Sequence, residues 1–282
     1  MTLLARSYLY APGNRADLLE KVLKQGADAV IIDLEDAVPA AEKQAARRMT
    51  AAFIETLPAE SSRSVFVRLN AEEAALEDAS ALPLARLGGL RLPKAEKPAI
   101  IAALDQLIGD GEAVEIHPII ESVAGLFALD DLARASPRVR RFAFGAGDFV
   151  RDLRGDVTLE RDETFLARAQ LVLRSRYLGL DPPIAHVYTP IRDVAGLERA
   201  CHADRALGFF GRSCIHPSQV AAINTAFTYG PQERAHAERI VEAYRAAVER
   251  GRGAFTLEDG TFVDEAVMRR AARVLSLTRA SP

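Results

Sequence analysis

The chain has 282 residues, 49% of them hydrophobic, with 36 basic against 39 acidic side chains and a formal net charge of −3. That length holds one large α/β domain or two ordinary ones, and the interspersed, near-neutral charge excludes the basic face of a nucleic-acid binder. Cys201 and Cys214 are too few for a disulfide framework and lack zinc-site spacing, no window approaches about 18 unbroken apolar residues, and residues 1–6 show no secretory leader pattern, so a cytoplasmic protein with two reduced, buried thiols and no membrane or nucleic-acid partner is expected.

Residues 7–11 predict a first strand, broken by Pro12-Gly13, and Asn14 can cap a helix with apolar positions Leu18, Leu19, Val22 and Leu23. Gly26 suits that helix's left-handed stop. Residues 29–34 form a continuous apolar strand that carries Asp33, with Glu35 and Asp36 in the following loop and an Ala-rich helix over about 39–57. The same period returns as a strand over 64–70 with a helix over 72–87, and as a strand over 89–93 that leads through Lys94 into a helix over 98–108. A fifth strand ends at Glu121, before a helix over 123–132. A sixth ends at Gly145, before a longer loop and a helix over about 162–177. Residues 184–188 and 208–215 supply the seventh and eighth strands.

Eight strand–helix units in about 230 residues is the count and size of a (β/α)8 TIM barrel. A doubly wound open sheet is the alternative, but no Gly-x-Gly-x-x-Gly follows the first strand, and Gly145-Ala-Gly147 lacks the third glycine of a dinucleotide loop. Residues 1–230 are therefore expected to be the barrel, and 231–282 a C-terminal helical extension or lid that is not an independent domain. Pro231 opens an amphipathic helix to about 250, Gly251 and Gly253 mark a break, and a segment over 254–264 leads into a last helix to about 277.

In such a barrel the loops at the carboxyl ends of the strands form the site. The polar residues there are Asp33, Glu35, Asp36, Arg68, Asn70, Lys94, Glu121, Asp148, Tyr188 and His216. Glu121 and Asp148, on neighbouring strands with Gly145 and Gly147 clearing space, suit a hard divalent cation that keeps several waters, magnesium first; loop caps or salt bridges are the plainer alternative for each carboxylate. Arg68, on a strand otherwise of Val, Phe and Leu, either pairs with a protein carboxylate or awaits a substrate one. Lys94 is either an anion contact or a Schiff-base lysine. His117 reads as a core histidine, His216 as a loop cap.

Arg6-Ser-Tyr-Leu-Tyr-Ala-Pro-Gly13, Asp33-Leu-Glu-Asp-Ala-Val38, Val67-Arg-Leu-Asn70, Leu92-Pro-Lys94, Ile120-Glu-Ser122, Phe144-Gly-Ala-Gly-Asp148 and Cys214-Ile-His-Pro-Ser-Gln219 run in one order along nearly the whole chain. In these motifs the sequence resembles the citrate lyase beta subunit and malyl-CoA lyase-like family, within the HpcH/HpaI aldolase/citrate lyase superfamily. The resemblance implies a (β/α)8 barrel, Mg2+ on Glu121 and Asp148, and a substrate carboxylate or developing oxyanion met by Arg68, with Lys94 as a further substrate contact. It implies cleavage of a 3-hydroxy-3-carboxyacyl-CoA (citryl-CoA, citramalyl-CoA or malyl-CoA) to acetyl-CoA and a 2-oxoacid, by a homotrimer or hexamer. It further implies that Asp264, on a C-terminal segment covering a neighbour's site, is the acid or base at the acetyl methyl. Asp33, Glu35 and Asp36 would order metal-bound water and the Arg68 side chain. The chain departs from the family at Ala185-His186, where many relatives carry Ile-Asp, and at Glu265-Ala266, where a proline is usual, which bears on substrate choice and lid geometry. The alternatives are a metal-dependent aldolase acting on a free hydroxy-oxoacid, and a non-catalytic barrel subunit that associates with an acyl carrier partner.

Overall fold

Short Val-, Ile- and Leu-rich runs punctuated by glycine and proline become buried parallel strands, and the longer runs between them become the crossover helices that such strands require. The computed structural model describes residues 4–110, 113–156 and 162–278. Its strands are β1 (Ser7–Pro12), β2 (Ala29–Asp33), β3 (Val65–Arg68), β4 (Gly89–Leu92), β5 (Glu115–Ile120), β6 (Ala143–Phe144) and β7 (Arg212–Cys214). They form one curled, seven-stranded parallel sheet in the order β6-β5-β4-β3-β2-β1-β7. The helices beside them are α1 (Ala16–Val22), α2 (Lys43–Thr56), α3 (Ala59–Ser62), α4 (Ala74–Ser80), α5 (Pro98–Ile108), α6 (Val123–Phe127), α7 (Leu129–Arg134), α8 (Ala146–Asp152), α9 (Phe165–Tyr177), α10 (Val194–Leu207) and α11 (Val220–Ala226). One face of the sheet encloses a cluster of Tyr8, Ala29, Ile31, Phe66, Ile119, Ala143 and Ile184. Every residue of β2 is buried, as expected of a strand covered on both faces.

Where the elements differ from the expected pattern, backbone chemistry explains it. The seventh strand is reduced to isolated parallel bridges, Ala143 to Ile184 and Ala185 to Arg212. Pro182 and Pro183 precede those residues and Pro190 follows, and between them Ile184 and Ala185 donate to the Phe142 and Gly211 carbonyls at 2.9 Å each. The eighth shortens to β7 because Gly208 and Gly211 take φ of 119° and 84°, which breaks the extended run before Arg212. The helix expected over 72–87 stops at Ser80, and Pro83 begins a short turn instead. The helix expected over 123–132 is divided at Ala128 into α6 and α7.

Residues 5–224 form one compact unit and the chain from Thr225 belongs to another. The second contains α12 (Pro231–Glu249), an antiparallel pair of β8 (Phe255–Thr256) and β9 (Phe262–Val263), and α13 (Glu265–Thr278). Gly230, ahead of Pro231, has its N–H accepted by Glu233 Oε2 at 3.0 Å, which fixes the start of α12. Ala237, Ile240, Val241, Val263 and Ala271 make this unit's own core. Among the described residues no helix is long and apolar enough to cross a membrane, and Cys201 and Cys214 are both free and buried.

Candidate active site

At the end of β2 the chain folds back on Asp33. Asp33 Oδ1 accepts the Glu35 N–H at 2.9 Å and Oδ2 accepts the Ala37 N–H at 3.0 Å. Lys43, the first residue of α2, fastens the outside of the loop by donating from Nζ to the carbonyls of Leu34 and Glu35 at 2.7 and 2.5 Å. Arg68 stands in register with Asp33 on the adjacent β3. Its Nε donates to Asp33 Oδ1 at 2.7 Å and its Nη2 to Oδ2 at 2.6 Å, a bidentate clamp. Nη1 lies 3.0 Å from Glu35 Oε2 and 3.4 Å from Asp36 Oδ2, and the Tyr10 ring centroid is 5.0 Å from the guanidinium carbon. Burial lowers the Arg68 pKa, but the Asp33 hydrogen bonds and the surrounding charges outweigh it, so the pKa lies above the ordinary arginine value. Of the two fates open to Arg68, this structure contains the protein carboxylate.

Lys94 follows β4 with a φ of 47°, a left-handed conformation that is uncommon outside glycine and concentrates at functional sites. Its N–H donates to Glu121 Oε1 at 2.6 Å, and its Nζ pairs with Glu35. Burial pulls the Lys94 pKa down, yet the bond to Glu35 and the nearby carboxylates raise it overall. A Schiff-base lysine needs the opposite shift, so the geometry favours an ammonium that binds anions. Glu35 itself is buried, which raises its pKa against the opposing pull of Arg68 and Lys94.

Glu121 follows β5 and is 6% exposed. Burial first, then the negative charges of Glu35 and Asp148, push its pKa up to about 7 despite the hydrogen bond from Lys94. Asp148 was expected at the end of a strand, but β6 stops at Phe144 and Asp148 lies in the first turn of α8, where Oδ1 is 2.9 Å from Arg151 Nη2. Gly145 is required between them, because a Cβ there would collide with Glu121 Oε2 and come within 2.7 Å of Glu121 Cβ. A Cβ on Gly147 would meet only open space. Both carboxylates line an open cavity of about 300 Å3, with Lys94, Ser122, Arg151 and Asp152 among its walls.

The donors fit a magnesium ion. A buried carboxylate that resists ionisation, with a second carboxylate on the same cavity, is relieved by a hard cation, and the open cavity leaves room for the waters such an ion keeps. Among the described residues no group of three or more His, Cys, Asp or Glu side chains is arranged to hold a metal.

The remaining candidates fall into quieter roles. Asn70 is held by Asp78, which accepts its N–H at 2.6 Å and its Nδ2 at 2.8 Å. Tyr188 donates to Asp193 at 2.6 Å, and His216 Nδ1 accepts the Ser218 N–H at 3.2 Å as a loop cap. His117 is fully buried, with Nε2 2.7 Å from Glu115. Asp36 has a 62% exposed side chain and only the long contact to Arg68. In the C-terminal unit Asp264 accepts the Val267 N–H at 2.9 Å, capping the start of α13. Three residues gain importance that spacing alone did not give them: Glu35, which bridges two cations; Lys43, which pins its loop; and Tyr10, which lies against Arg68. Of these only Glu35 had a signal, a carboxylate one residue beyond an apolar strand.

A parallel α/β sheet with its carboxylates and cations gathered at the carboxyl ends of its strands defines an enzyme-like class of protein. Residues 6–217 match the model of the HpcH/HpaI aldolase/citrate lyase family, and residues 168–271 match a C-C bond lyase of the TIM-barrel fold. The chain belongs to the HpcH/HpaI aldolase/citrate lyase family. It is 37% identical to a citrate lyase subunit beta-like protein of Deinococcus radiodurans, over 97% of each chain. It is 31% identical to a citrate lyase subunit beta of Leuconostoc mesenteroides subsp. cremoris, over 99% of this chain and 94% of that one. Among solved structures it resembles protein CitE from Mycobacterium tuberculosis in complex with magnesium, acetoacetate and coenzyme A, with a TM-score of 0.80 and 29% identity over 97% of both chains.

Proposed function

We propose that the protein is a Mg2+-dependent carbon–carbon lyase that cleaves a 3-hydroxy-3-carboxyacyl-CoA, of the citryl-, citramalyl- or malyl-CoA type, to acetyl-CoA and a 2-oxoacid. The observation that carries this reading is the pairing of Glu121 and Asp148 in one cavity beside Lys94, with Arg68 linked to Lys94 through Glu35. The magnesium and coenzyme A bound to the Mycobacterium tuberculosis relative support it.

Cleavage turns the substrate hydroxyl, whose proton leaves to solvent water, into the carbonyl of the 2-oxoacid and leaves the bond's electron pair on the thioester as an enolate. Negative charge therefore develops where there was none, and groups aimed at it lower the barrier selectively. Glu121 and Asp148 would hold Mg2+, which would supply Lewis-acid charge to the oxygens that become the 2-oxoacid. Arg68 binds the substrate carboxylate through N–H groups that Asp33 leaves free, and the Lys94 ammonium meets a second oxygen. Glu35 keeps both cations charged and spaced. Asp264, protonated, delivers a proton to the enolate carbon, in its own chain's site or a neighbour's. The same reading includes a complete (β/α)8 barrel, supported by the parallel bridges at Ile184 and Ala185, in a cytoplasmic homotrimer.

The test is to incubate the protein with each of the three thioesters, with and without EDTA, and to follow acetyl-CoA and 2-oxoacid. Release of both from at least one thioester, abolished by EDTA and restored by Mg2+, is expected, with Asp148→Ala inactive but folded. Undiminished turnover in EDTA, or a fully active Asp148→Ala variant, rejects the site; borohydride trapping at Lys94 replaces it with a Schiff base.

A further inference from the structure

Arg91 departs from the rule that buried charges are paired. It lies on β4 in register with Arg68 on β3 and His117 on β5, and it is 0% exposed. Nη1 donates to Ser213 Oγ at 2.8 Å, while Nε and Nη2 are buried without a hydrogen-bond partner. The other buried arginines are better served. Arg141 donates to Tyr8 and to the carbonyls of Pro182 and Phe210, and Arg212 pairs with Asp204 and donates to the His186 carbonyl. Arg91 rests instead on aromatic faces, its guanidinium carbon 4.4 Å from the Tyr8 centroid and 6.0 Å from that of Tyr10. Burial lowers its pKa, and Tyr10, by charge and by a hydrogen bond from the guanidinium to its hydroxyl, and Tyr8 offset part of that cost. An apolar side chain of similar length would be expected to give a more stable core, so stability does not account for an arginine here.

The contacts around it lead to the site. Tyr8 and Tyr10 are two apart on β1 and share a face of the sheet. Arg141 Nη1 anchors the Tyr8 hydroxyl at 2.8 Å; Tyr8 carries Arg91; Arg91 neighbours Tyr10; and Tyr10 lies 5.0 Å from the guanidinium carbon of Arg68. Tyr10 thus lies between the two guanidinia, its ring face 5.0 Å from the carbon of Arg68 and its hydroxyl bonded to the fully buried Arg91. The two like charges repel, and Arg68 has its counter-charges at Asp33, Glu35 and Asp36. From the sheet, Tyr10 favours the Arg68 cation, as the loop carboxylates do, while the like charge of Arg91 opposes it.

We propose that Arg91 and Tyr10 are positioning residues for Arg68: the ring and the buried charge hold the Arg68 guanidinium in one plane against Asp33, so that a substrate carboxylate meets it in a single orientation. The substrate half of this statement rests on the lyase reading; the positioning half does not. A core that keeps a buried guanidinium on hydroxyls and aromatic rings, with no carboxylate among its contacts with the described residues, next to a site that uses it, is the pattern expected of a functional constraint.

The test uses the full-length protein with Arg91→Met, Tyr10→Leu and Tyr10→Phe. The first readout is hydrogen exchange at the Arg68 Nε–H, followed by NMR with isotope-labelled arginine and assigned by its loss in Arg68→Lys. Exchange about tenfold faster than in the parent is expected for Arg91→Met and Tyr10→Leu, and within about twofold for Tyr10→Phe, which keeps the ring face. The second readout is calorimetric binding of pyruvate in saturating Mg2+, weakened about tenfold in the same two variants and near-parental in Tyr10→Phe, with Mg2+ affinity itself unchanged. Arg91→Met should unfold at no lower temperature than the parent. Folded Arg91→Met and Tyr10→Leu proteins with parental exchange at Arg68 overturn the proposal. Should Arg91→Met fail to fold, the contrast between Tyr10→Leu and Tyr10→Phe decides it. If the parent neither binds pyruvate nor cleaves a thioester, the lyase reading falls while the exchange pattern still judges the positioning.

Discussion

Glu35 joins the site's two cations: Lys94 Nζ pairs with Oε1, and Arg68 Nη1 lies 3.0 Å from Oε2. An aspartate there would be one methylene short of that span. Elsewhere on the sheet a histidine sets the acid limit of the fold. His117 is enclosed by Glu115, Tyr8 and Phe66, whose ring stacks at 4.9 Å. Burial pulls its pKa from 6.5 to about 4 against the opposing pull of Glu115, and Arg91 and Arg141 add to the depression. The unfolded chain therefore binds the extra proton over that window, so stability is full above pH 6.5 and falls as the pH drops toward 4. Glu115 works in the same direction: burial raises its pKa, but the bond to His117 and the charges of Arg141 and Arg140 together outweigh this and hold it below the ordinary value, so its contribution too is lost on acidification. About 3 kcal/mol should disappear through His117 across the window. Urea midpoints between pH 7 and 4 check this, with His117→Gln expected to flatten the slope; an unchanged slope in that variant would assign the acid sensitivity elsewhere.

At the scale of elements, α4 supports the end of β3. Its Asp78, fully buried, accepts the Asn70 N–H, the Asn70 side chain and Arg47 Nε from α2, at 2.6 to 2.8 Å. Removing one carboxylate leaves all three donors short of an acceptor, so Asp78→Ala should cost about 3 kcal/mol. Asp78→Asn, which keeps one acceptor oxygen, should cost less; equal urea midpoints for parent and Asp78→Ala would show that water replaces the carboxylate. Asn70 was readable as a polar residue at a strand's end, but its partner was not, since Asp78 is an ordinary helix residue until α4 turns it inward. The same limit recurs across the chain. Alternating apolar strands and amphipathic helices made the parallel sheet and most helices legible, because burial sets their period. The segment after Pro183 was overread in length: Ile184 and Ala185 pair with both neighbouring strands, but the run expected to 188 does not continue as a strand. Glu121, Arg68 and Lys94 were legible as polar residues ending apolar runs. The relative weight of Glu35 and Asp36 was not, because a loop stitched by Asp33 and Lys43 decides which side chain turns inward.

On the scale of the whole chain, Arg68, Glu121 and Asp148 belong to the unit spanning residues 5–224, and Asp264 to the unit from Thr225 onward. A proton donor at Asp264 could therefore serve the site of its own chain or that of another copy, and the two arrangements make different demands on an assembly. In a ring of identical chains, a site completed by a neighbour draws one residue from each of two chains. Arg68→Met and Asp264→Asn should each be nearly inactive alone, with Asp264→Asn keeping parental Mg2+ affinity because Asp264 lies on neither metal-binding element. Mixed one to one and refolded together, they should recover about a quarter of parental turnover if the site borrows Asp264, since one chain in two supplies an intact Arg68 and one neighbour in two an intact Asp264. If each site is completed within its own chain, no mixture recovers activity, because every chain then carries a defect in the only site it can complete.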